Sequence, residues 1–380
     1  MICAVEPSAD ALGAALILAM QGLRPQLRFI GCGGAAMQDA GLTSLFSIKP
    51  FSVIGPVGAA RALPAAMQAS RTLARAAKEA DVTSAVFIDA WAFSYLAAKR
   101  LRQDRPDIKL FKYVAPQVWA SRAHRAKLLA EKFDGLLTLF QFENAYFDGL
   151  DIDVKWVGHG GFQNAAGQSP DVSAFRERYN LSDGPVLAAL FGSRTGEIKT
   201  LAPIFLEVLS QIHARHPDIK IVSAPAPSVR AELRRLLENS GVPIAMVEPI
   251  DKQALFATAD VALAASGTVT TELAIHATPM VVGYKIDPLS AAWAKRVLTV
   301  DYLSLINIAS TRLIIPEFVQ ENCRPEPILG ALETLLKSQS ARARQTAAFK
   351  DVLASAFSIG GPPAADIAAE TLLGWGIDRP

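Results

Sequence analysis

The chain alternates between short apolar runs and longer stretches with helical periodicity, and this alternation constrains its fold more than any other feature. Such alternation predicts parallel sheets whose strands are joined by right-handed helical crossovers. The runs form two series, so we expect an α/β protein with two Rossmann-like doubly wound domains. The first series is Ile2–Val5, Leu27–Ile30, Ala85–Ile88, Leu110–Val114, Leu136–Leu139 and Val154–Val157, and the second is Val186–Leu190, Ile219–Ser223, Ile244–Val247, Val261–Ala264 and Met280–Gly283.

The two series are separated by a stretch rich in Gly, Pro and Asn. A stretch of this composition is typical of a hinge or linker. We therefore predict a first domain over 1–160, a linker over 161–183 and a second domain over 184–340. Residues 341–380 are again helical and are expected to pack back on the first domain.

Composition limits the kinds of ligand, metal and membrane contact that are expected for this chain. The 380 residues carry a net charge of +2, with +5 in residues 1–150 and −3 in the remainder, and a basic first half suits an anionic ligand or membrane surface. The three Cys and five His have no metal-ligand spacing, so we expect no metal, no disulfide framework and a reducing cytoplasm. No apolar run reaches the roughly 18 residues of a membrane span, so membrane contact would be peripheral. No nucleic-acid partner is expected.

An aspartate stands directly after a predicted strand of the first domain. In doubly wound sheets, ligands bind beyond the carboxyl ends of the strands. Asp89 follows Ala85–Ile88 and precedes a helix that begins near Trp91, so its carboxylate could take a proton from an attacking hydroxyl. The alternative is that Asp89 only caps the helix.

Two turns of the second domain end strands in small polar residues and open helices. Free N–H groups at such helix starts form anion sites, and Arg can clamp a phosphate. The alternative is ordinary helix capping, with Glu197 as a capping-box partner of the first turn. The first turn is Gly192, Ser193 and Arg194, and the second is Ser266, Gly267 and Thr268, with Glu272 placed to accept from ribose hydroxyls.

Further polar groups lie at strand ends of the first domain. Each has a structural alternative, namely N-capping, a tight turn, a packed corner or a satisfied buried histidine. Tyr113 to Trp119 places an amide and an aromatic ring that could face a sugar. The candidates for the acceptor side are Glu6, Ser8, Asp10, Gly33, Gln117 and His159.

Residues 51–78 combine an apolar Gly- and Pro-containing loop with a basic amphipathic helix. This combination could dip into a membrane interface or hold acyl chains. An ordinary buried loop and surface helix is the alternative. The basic side chains are Arg61, Arg71, Arg75 and Lys78.

Taken together, these segments resemble lipid-A-disaccharide synthases, glycosyltransferases with two Rossmann-like domains facing a cleft (the GT-B architecture). The resemblance covers nearly the whole chain and keeps motif order. It is carried by residues 5–10, 31–34 with Met37, 88–90, 113–119, 157–159, 192–194, 265–268 with Glu272, 279–282 before 284–285, 306–307, and 316–317 with Gln320.

The resemblance implies an inverting transfer of 2,3-diacylglucosamine from UDP-2,3-diacylglucosamine to 2,3-diacylglucosamine 1-phosphate, without a cofactor. Asp89 matches the general base for the 6-hydroxyl of the acceptor. The two turns, Glu272 and Asn307 match the UDP site. Residues 51–78 would meet the cytoplasmic face of the inner membrane, and the oligomeric state stays open.

The chain departs from the family pattern at Val5, Pro7 and Ala9 of the first motif. Ala resists positive φ where Gly does not, so the backbone approach to a ligand there could differ. Two other hypotheses therefore remain, a 2-epimerase-like enzyme acting on UDP-N-acetylglucosamine and a catalytically silent homologue that binds glycolipid or nucleotide. The other departures are Ser121, Gly160, Phe191 and Ile306.

Overall fold

The computed structural model of the protein describes residues 1–51, 55–181, 184–287, 290–291 and 296–377, with the backbone alone for 55–61. The chain divides into two compact units. Unit 1 comprises Met1–Gly160 and Gly361–Pro380, and unit 2 comprises Gly161–Gly360.

Unit 1 contains a parallel sheet of seven strands. Their order across the sheet is β3-β2-β1-β4-β5-β6-β7, so the chain reverses its direction of travel between β1 and β4. This is the position at which doubly wound sheets bind ligands. The strands are β1 (Ile2–Ala4), β2 (Phe29–Cys32), β3 (Leu42–Ser44), β4 (Ser84–Ile88), β5 (Lys109–Tyr113), β6 (Gly135–Thr138) and β7 (Asp153–Trp156).

Unit 2 contains a parallel sheet of six strands in the order β10-β9-β8-β11-β12-β13. Its reversal lies between β8 and β11, where Leu190 is paired with Ala264. The strands are β8 (Val186–Leu190), β9 (Lys220–Ser223), β10 (Ile244–Met246), β11 (Val261–Ala265), β12 (Met280–Tyr284) and β13 (Glu317–Val319).

Two parallel sheets with helical crossovers confirm the predicted fold class. The central strands are fully buried because helices cover both faces of a parallel sheet, which is why they read as continuous apolar runs. Leu42–Ser44 and Glu317–Val319 were not predicted. Both are three-residue edge strands that pair on one side only, so neither carries the apolar run of a central strand.

Helices connect the strands. In unit 1 they are Pro7–Leu23, Ala35–Asp39, Gly55–Glu79, Trp91–Asp104, His124–Ala130 and Ala364–Gly374. In unit 2 they include Gly160–Ala166, which begins at the unit boundary, and Val172–Arg178, Thr195–Arg215, Arg230–Glu238, Lys252–Thr258, Thr268–Ile275, Leu305–Ser310, Pro325–Lys337 and Gln339–Phe357. Short 3-10 helices span Lys49–Phe51, Gln141–Phe147, Pro227–Val229, Pro249–Asp251 and Gln320–Asn322.

The end of the chain packs against the first sheet. Trp375, just after the last helix, stacks on Phe111 of β5 with ring centroids 5.6 Å apart. A Cβ atom at Gly135 would lie 2.6 Å from the Trp375 ring, so glycine permits this approach. Residues 161–181, within the predicted linker, contain helical turns and are grouped with unit 2.

Candidate functional site

The sheet of unit 1 places Asp89 directly after β4, next to the reversal point. The residue at the cap position of the following helix is Ala90, and no side chain caps that helix. The capping alternative for Asp89 is therefore not what the structure shows. Its half-buried carboxylate stands at the strand end without a capping duty.

The backbone of this turn is strained. Asp89 and Ala90 have φ values of 50° and 43°, and Val114 at the end of the neighbouring β5 has a φ of 77°. Left-handed backbone costs a residue with a Cβ atom about 1–3 kcal/mol, and such residues cluster at functional sites. The strained backbone therefore indicates a candidate functional site at the adjacent ends of β4 and β5.

A buried lysine and a second carboxylate lie beside Asp89. Lys112 of β5 is 0 % exposed, and burial lowers the pKa of its ammonium group to about 7, against the attraction of Asp89 and Glu6. Burial also raises the pKa of Glu6, as does the nearby Asp89 carboxylate, whereas Lys112 lowers it. Glu6 precedes the helix Pro7–Leu23 without capping it through its side chain. Glu6, Asp89 and Lys112 thus form one electrostatically coupled cluster.

Asp10, a candidate for the acceptor side, has a structural role within unit 1. Its carboxylate accepts hydrogen bonds from the N–H groups of Gly34, Ala36 and Met37 at 2.7, 3.1 and 3.2 Å, and so satisfies the start of the helix Ala35–Asp39. A Cβ atom at Gly33 would lie 2.7 Å from the Met37 sulfur. Gly33 therefore allows close packing against Met37. This agrees with the structural alternative, a tight turn.

Residues 113–119 divide between surface and core. Gln117 is exposed, as is Ser8 at the start of the first helix, so both can meet a ligand. Trp119 is only 7 % exposed and donates its indole N–H to Glu143 at 3.2 Å. Of the two interpretations of Trp119, the packed corner agrees with the structure, because the ring is packed inside unit 1.

His159 follows β7 and stacks on Phe140 with ring centroids 5.9 Å apart. Burial lowers the pKa of its imidazole to about 4. The ring is therefore neutral near pH 7 and acts as an uncharged hydrogen-bonding group.

In unit 2, the turn after β8 is internally capped. The Glu197 carboxylate accepts from the backbone N–H groups of Ser193 and Arg194 at 2.9 and 3.3 Å, and from the Arg194 guanidinium at 2.9 Å. Gly192 has a φ of 105°, which favours glycine. The capping-box alternative is thus observed, and both N–H groups are bonded to Glu197 in this structure. The Arg194 side chain, 70 % exposed, carries the remaining donors.

The turn after β11 differs from the turn after β8. Gly267 opens the helix Thr268–Ile275, and no side chain caps it. Ser266 is half-buried, whereas Gly267 and Thr268 are exposed. Because β8 and β11 are neighbours, both turns leave the same edge of the sheet. The uncapped helix start and the Arg194 guanidinium are together the groups of this edge that could bind an anion.

Glu272 lies on the helix that this second turn opens. It forms an ion pair with Lys252 at 2.7 Å and accepts from Gln253 at 2.7 Å. Gln253 also contacts His276 at 2.7 Å. The Glu272 carboxylate is held in place by side chains of the preceding helix, and its contact with a ribose stays a prediction.

Asn307 is 0 % exposed, and its side-chain amide is fully used within the protein. Its Nδ2 donates to Ile315 and Glu317 at 2.8 Å each, and its Oδ1 accepts from Ile314 and Ile315 at 2.9 Å each. These bonds shape the loop that precedes β13, and the contact of Asn307 with a nucleotide stays a prediction.

Lys112 and Glu143 were missed by sequence reasoning. A lysine inside the strand Lys109–Tyr113 was a usable signal, because a charge in a central strand is rarely buried without a function. Glu143 gave no such signal, because its partners become visible only when the chain folds. Among the described residues, no group of three or more His, Cys, Asp or Glu side chains could hold a metal ion.

Comparison with known proteins gives independent evidence on the family of this chain. The sequence model described as lipid-A-disaccharide synthetase matches residues 1–359. The lipid-A-disaccharide synthase of Ruegeria pomeroyi is 38 % identical over 346 residues, covering 87 % of this chain and 84 % of the relative. The lipid-A-disaccharide synthase of Rhodospirillum centenum is 35 % identical over 375 residues, covering 98 % of this chain and 93 % of the relative.

Solved structures share the fold. A UDP-N-acetylglucosamine 2-epimerase from Neisseria meningitidis with bound UDP-GlcNAc has a TM-score of 0.63 at 11 % identity, covering 97 % of this chain and 98 % of that one. The UDP co-structure of S. aureus MnaA has a TM-score of 0.61 at 9 % identity, with 97 % and 94 % covered. At this identity the likeness concerns the fold alone.

Proposed function

Because the chain belongs to the lipid-A-disaccharide synthase family, we propose that it transfers 2,3-diacylglucosamine from UDP-2,3-diacylglucosamine to 2,3-diacylglucosamine 1-phosphate. The family match over residues 1–359 carries this proposal. Relatives at 34–38 % identity over at least 84 % of their own length support it. The products are a β-1,6-linked disaccharide 1-phosphate and UDP.

In this reaction the acceptor's 6-hydroxyl attacks C1 of the donor sugar. The Asp89 carboxylate takes the hydroxyl proton, a new C–O bond forms, and the bond between C1 and the diphosphate breaks with inversion. Its position at a strand end, free of capping, supports this role. Glu6 and the exposed Gln117 and Ser8 are the polar groups of unit 1 proposed for the acceptor.

UDP leaves with the electron pair of the broken bond, so its diphosphate gains negative charge. In the proposal, Arg194 and the helix start at Gly267 stabilise that charge, because oriented donors strengthen as charge develops. Glu272 accepts from the ribose hydroxyls. Lys252 and Gln253 hold it in that position.

The test is turnover by the purified protein with both acylated substrates. Disaccharide 1-phosphate is detected by mass spectrometry, and UDP release is followed in parallel. UDP-N-acetylglucosamine alone is the second arm, because a 2-epimerase would convert it to its C2 epimer. UDP binding without any product would support a catalytically silent homologue and contradict the proposed transfer.

We propose a peripheral membrane contact through the helix Gly55–Glu79. No helix among the described residues is both long and apolar enough to cross a membrane. Leu63 and Met67 are 53 % and 43 % exposed, and Arg71 and Arg75 continue the same face at four-residue spacing. The opposite face is buried in the core of unit 1. Residues 52–54 and the side chains of 55–61, also part of the predicted segment, lie outside the described residues.

Replacing both Leu63 and Met67 by Ser is expected to weaken binding to vesicles containing phosphatidylglycerol by about tenfold or more. Apolar side chains inserted at the interface and basic residues near anionic lipid each contribute about 1 kcal/mol or more. Co-sedimentation measures the bound fraction. Leu18→Ser, an exposed Leu on another helix, is the control. Equal binding by the double variant and the parent protein would contradict the membrane role of this face.

A further inference from the structure

Lys112 is a fully buried lysine whose ammonium group is enclosed by backbone oxygens. Its Nζ donates to the carbonyls of Asp89, Tyr113 and Phe87 at 2.5, 3.2 and 3.3 Å. All three carbonyls lie at or just beyond the ends of β4 and β5. The lysine therefore joins two neighbouring strand ends at the point where Asp89 begins the turn.

These contacts act on a strained segment. The Asp89 N–H donates to Tyr113 at 2.9 Å, and the Asp89 carbonyl also accepts from the Ser94 hydroxyl at 2.7 Å. Asp89 and Ala90 nevertheless keep left-handed φ values of 50° and 43°. Such a conformation persists only where the surroundings hold it, and a charge-assisted hydrogen bond is the strongest kind available. Lys112 donates that bond to the carbonyl of Asp89, the proposed general base.

Packing alone does not explain a lysine at this position. Taking an ammonium group out of water costs free energy that an apolar side chain of similar volume would not cost. The charged groups that face Lys112 are the Asp89 carboxylate from β4 and the Glu6 carboxylate beyond β1. The charge of Lys112 strengthens the bonds that its Nζ makes to the three carbonyls, because a charged donor binds an acceptor more strongly than a neutral one.

We propose that Lys112 is a positioning residue for the glycosyl transfer, holding the Asp89 turn through its three carbonyl contacts. The part that concerns catalysis rests on the proposed function. The contacts of Lys112 with the Asp89 turn do not depend on that function, so they are tested separately.

Because the contacts of Lys112 depend on its ammonium charge, we expect kcat to depend on pH. Burial lowers the pKa of Lys112 to about 7, so the ammonium group is charged below that pH and loses its proton as the pH rises through it. We expect kcat of the parent protein to fall on the alkaline side. Lys112→Arg, whose guanidinium stays protonated, should remove this alkaline fall.

The decisive variant is Lys112→Met, which keeps the length of the side chain without its charge. It is expected to lower kcat by about 100-fold with KM within about threefold, and to lower the melting temperature by several degrees, because three carbonyl oxygens lose their donor. Lys109→Met is the matched control, because Lys109 lies on the same strand but is exposed. A merely structural lysine would lower stability and leave the pH profile of the remaining activity unchanged.

Hydrogen exchange provides a readout that needs no turnover. The amides of Asp89 and Ser94 should exchange at least tenfold faster in Lys112→Met than in the parent protein or in Lys109→Met. If the parent protein makes no disaccharide, the proposed function fails while the exchange result still tests the turn. Unchanged exchange and unchanged kcat in folded Lys112→Met would overturn the inference. Should that variant not fold, Lys112→Gln takes its place in the same measurements.

Discussion

Asp89→Asn is expected to lower kcat by about 100- to 10,000-fold, while KM for both substrates stays within about threefold. Asparagine has nearly the same shape as aspartate but cannot accept the proton of the 6-hydroxyl. It also tolerates the left-handed backbone that residue 89 adopts, with a φ of 50°. The substitution therefore removes the base and keeps the turn, whereas alanine would change both.

Steady-state kinetics and the melting temperature measure this effect together. Asp107→Asn is the control, because its side chain is 76 % exposed and lies at the opposite end of the sheet, before β5. It should leave kcat unchanged. A folded Asp89→Asn protein with the kcat of the parent would show that another group takes the proton.

Arg194→Gln is expected to weaken UDP binding about 10-fold and to lower kcat/KM for the donor about 100-fold. The guanidinium is exposed and shares one hydrogen bond with Glu197, which leaves N–H donors for phosphate oxygens. Because the leaving diphosphate gains charge in the transition state, the loss should exceed the loss of ground-state binding. Isothermal titration with UDP and donor-dependent kinetics measure the two quantities.

Stability separates this effect from unfolding. The Arg194 side chain is 70 % exposed, and the buried Glu197 carboxylate keeps its two backbone N–H donors when the guanidinium is removed, so the melting temperature should hardly change. Lys199→Gln removes an exposed cation from the same helix and is the matched control. Similar UDP affinities in the two variants would rule out a specific phosphate contact at Arg194.

The predicted strands were right where the pattern was strongest. Val186–Leu190 was predicted with the bounds that the structure has, and Val261–Ala264 differs from its strand by one residue. Both are central strands, buried on both faces, so their apolar run is continuous. The edge strand Leu42–Ser44 was missed, because its identity comes from pairing with β2.

Candidate site residues were harder to sort than strands. The sequence placed Asp10 and Asp89 alike, as carboxylates near strand ends. In the structure Asp10 satisfies three N–H groups of a distant helix start, whereas Asp89 caps nothing. Glu197 could be recognised as a capping partner, because its partners lie only three and four residues away.

The sequence by itself determined the two series of parallel strands, and with them the sheet edges where Asp89, Arg194 and Ser266 lie. Periodicity and turn composition are local properties, so they can be read along the chain. Only the tertiary structure decided which polar groups are used internally. Asp10 bonds residues 24 and more positions away, and Lys112 bonds the end of a strand 23 residues earlier. Such pairings arise because buried polar groups must find partners in space, and adjacency in the sequence does not encode them.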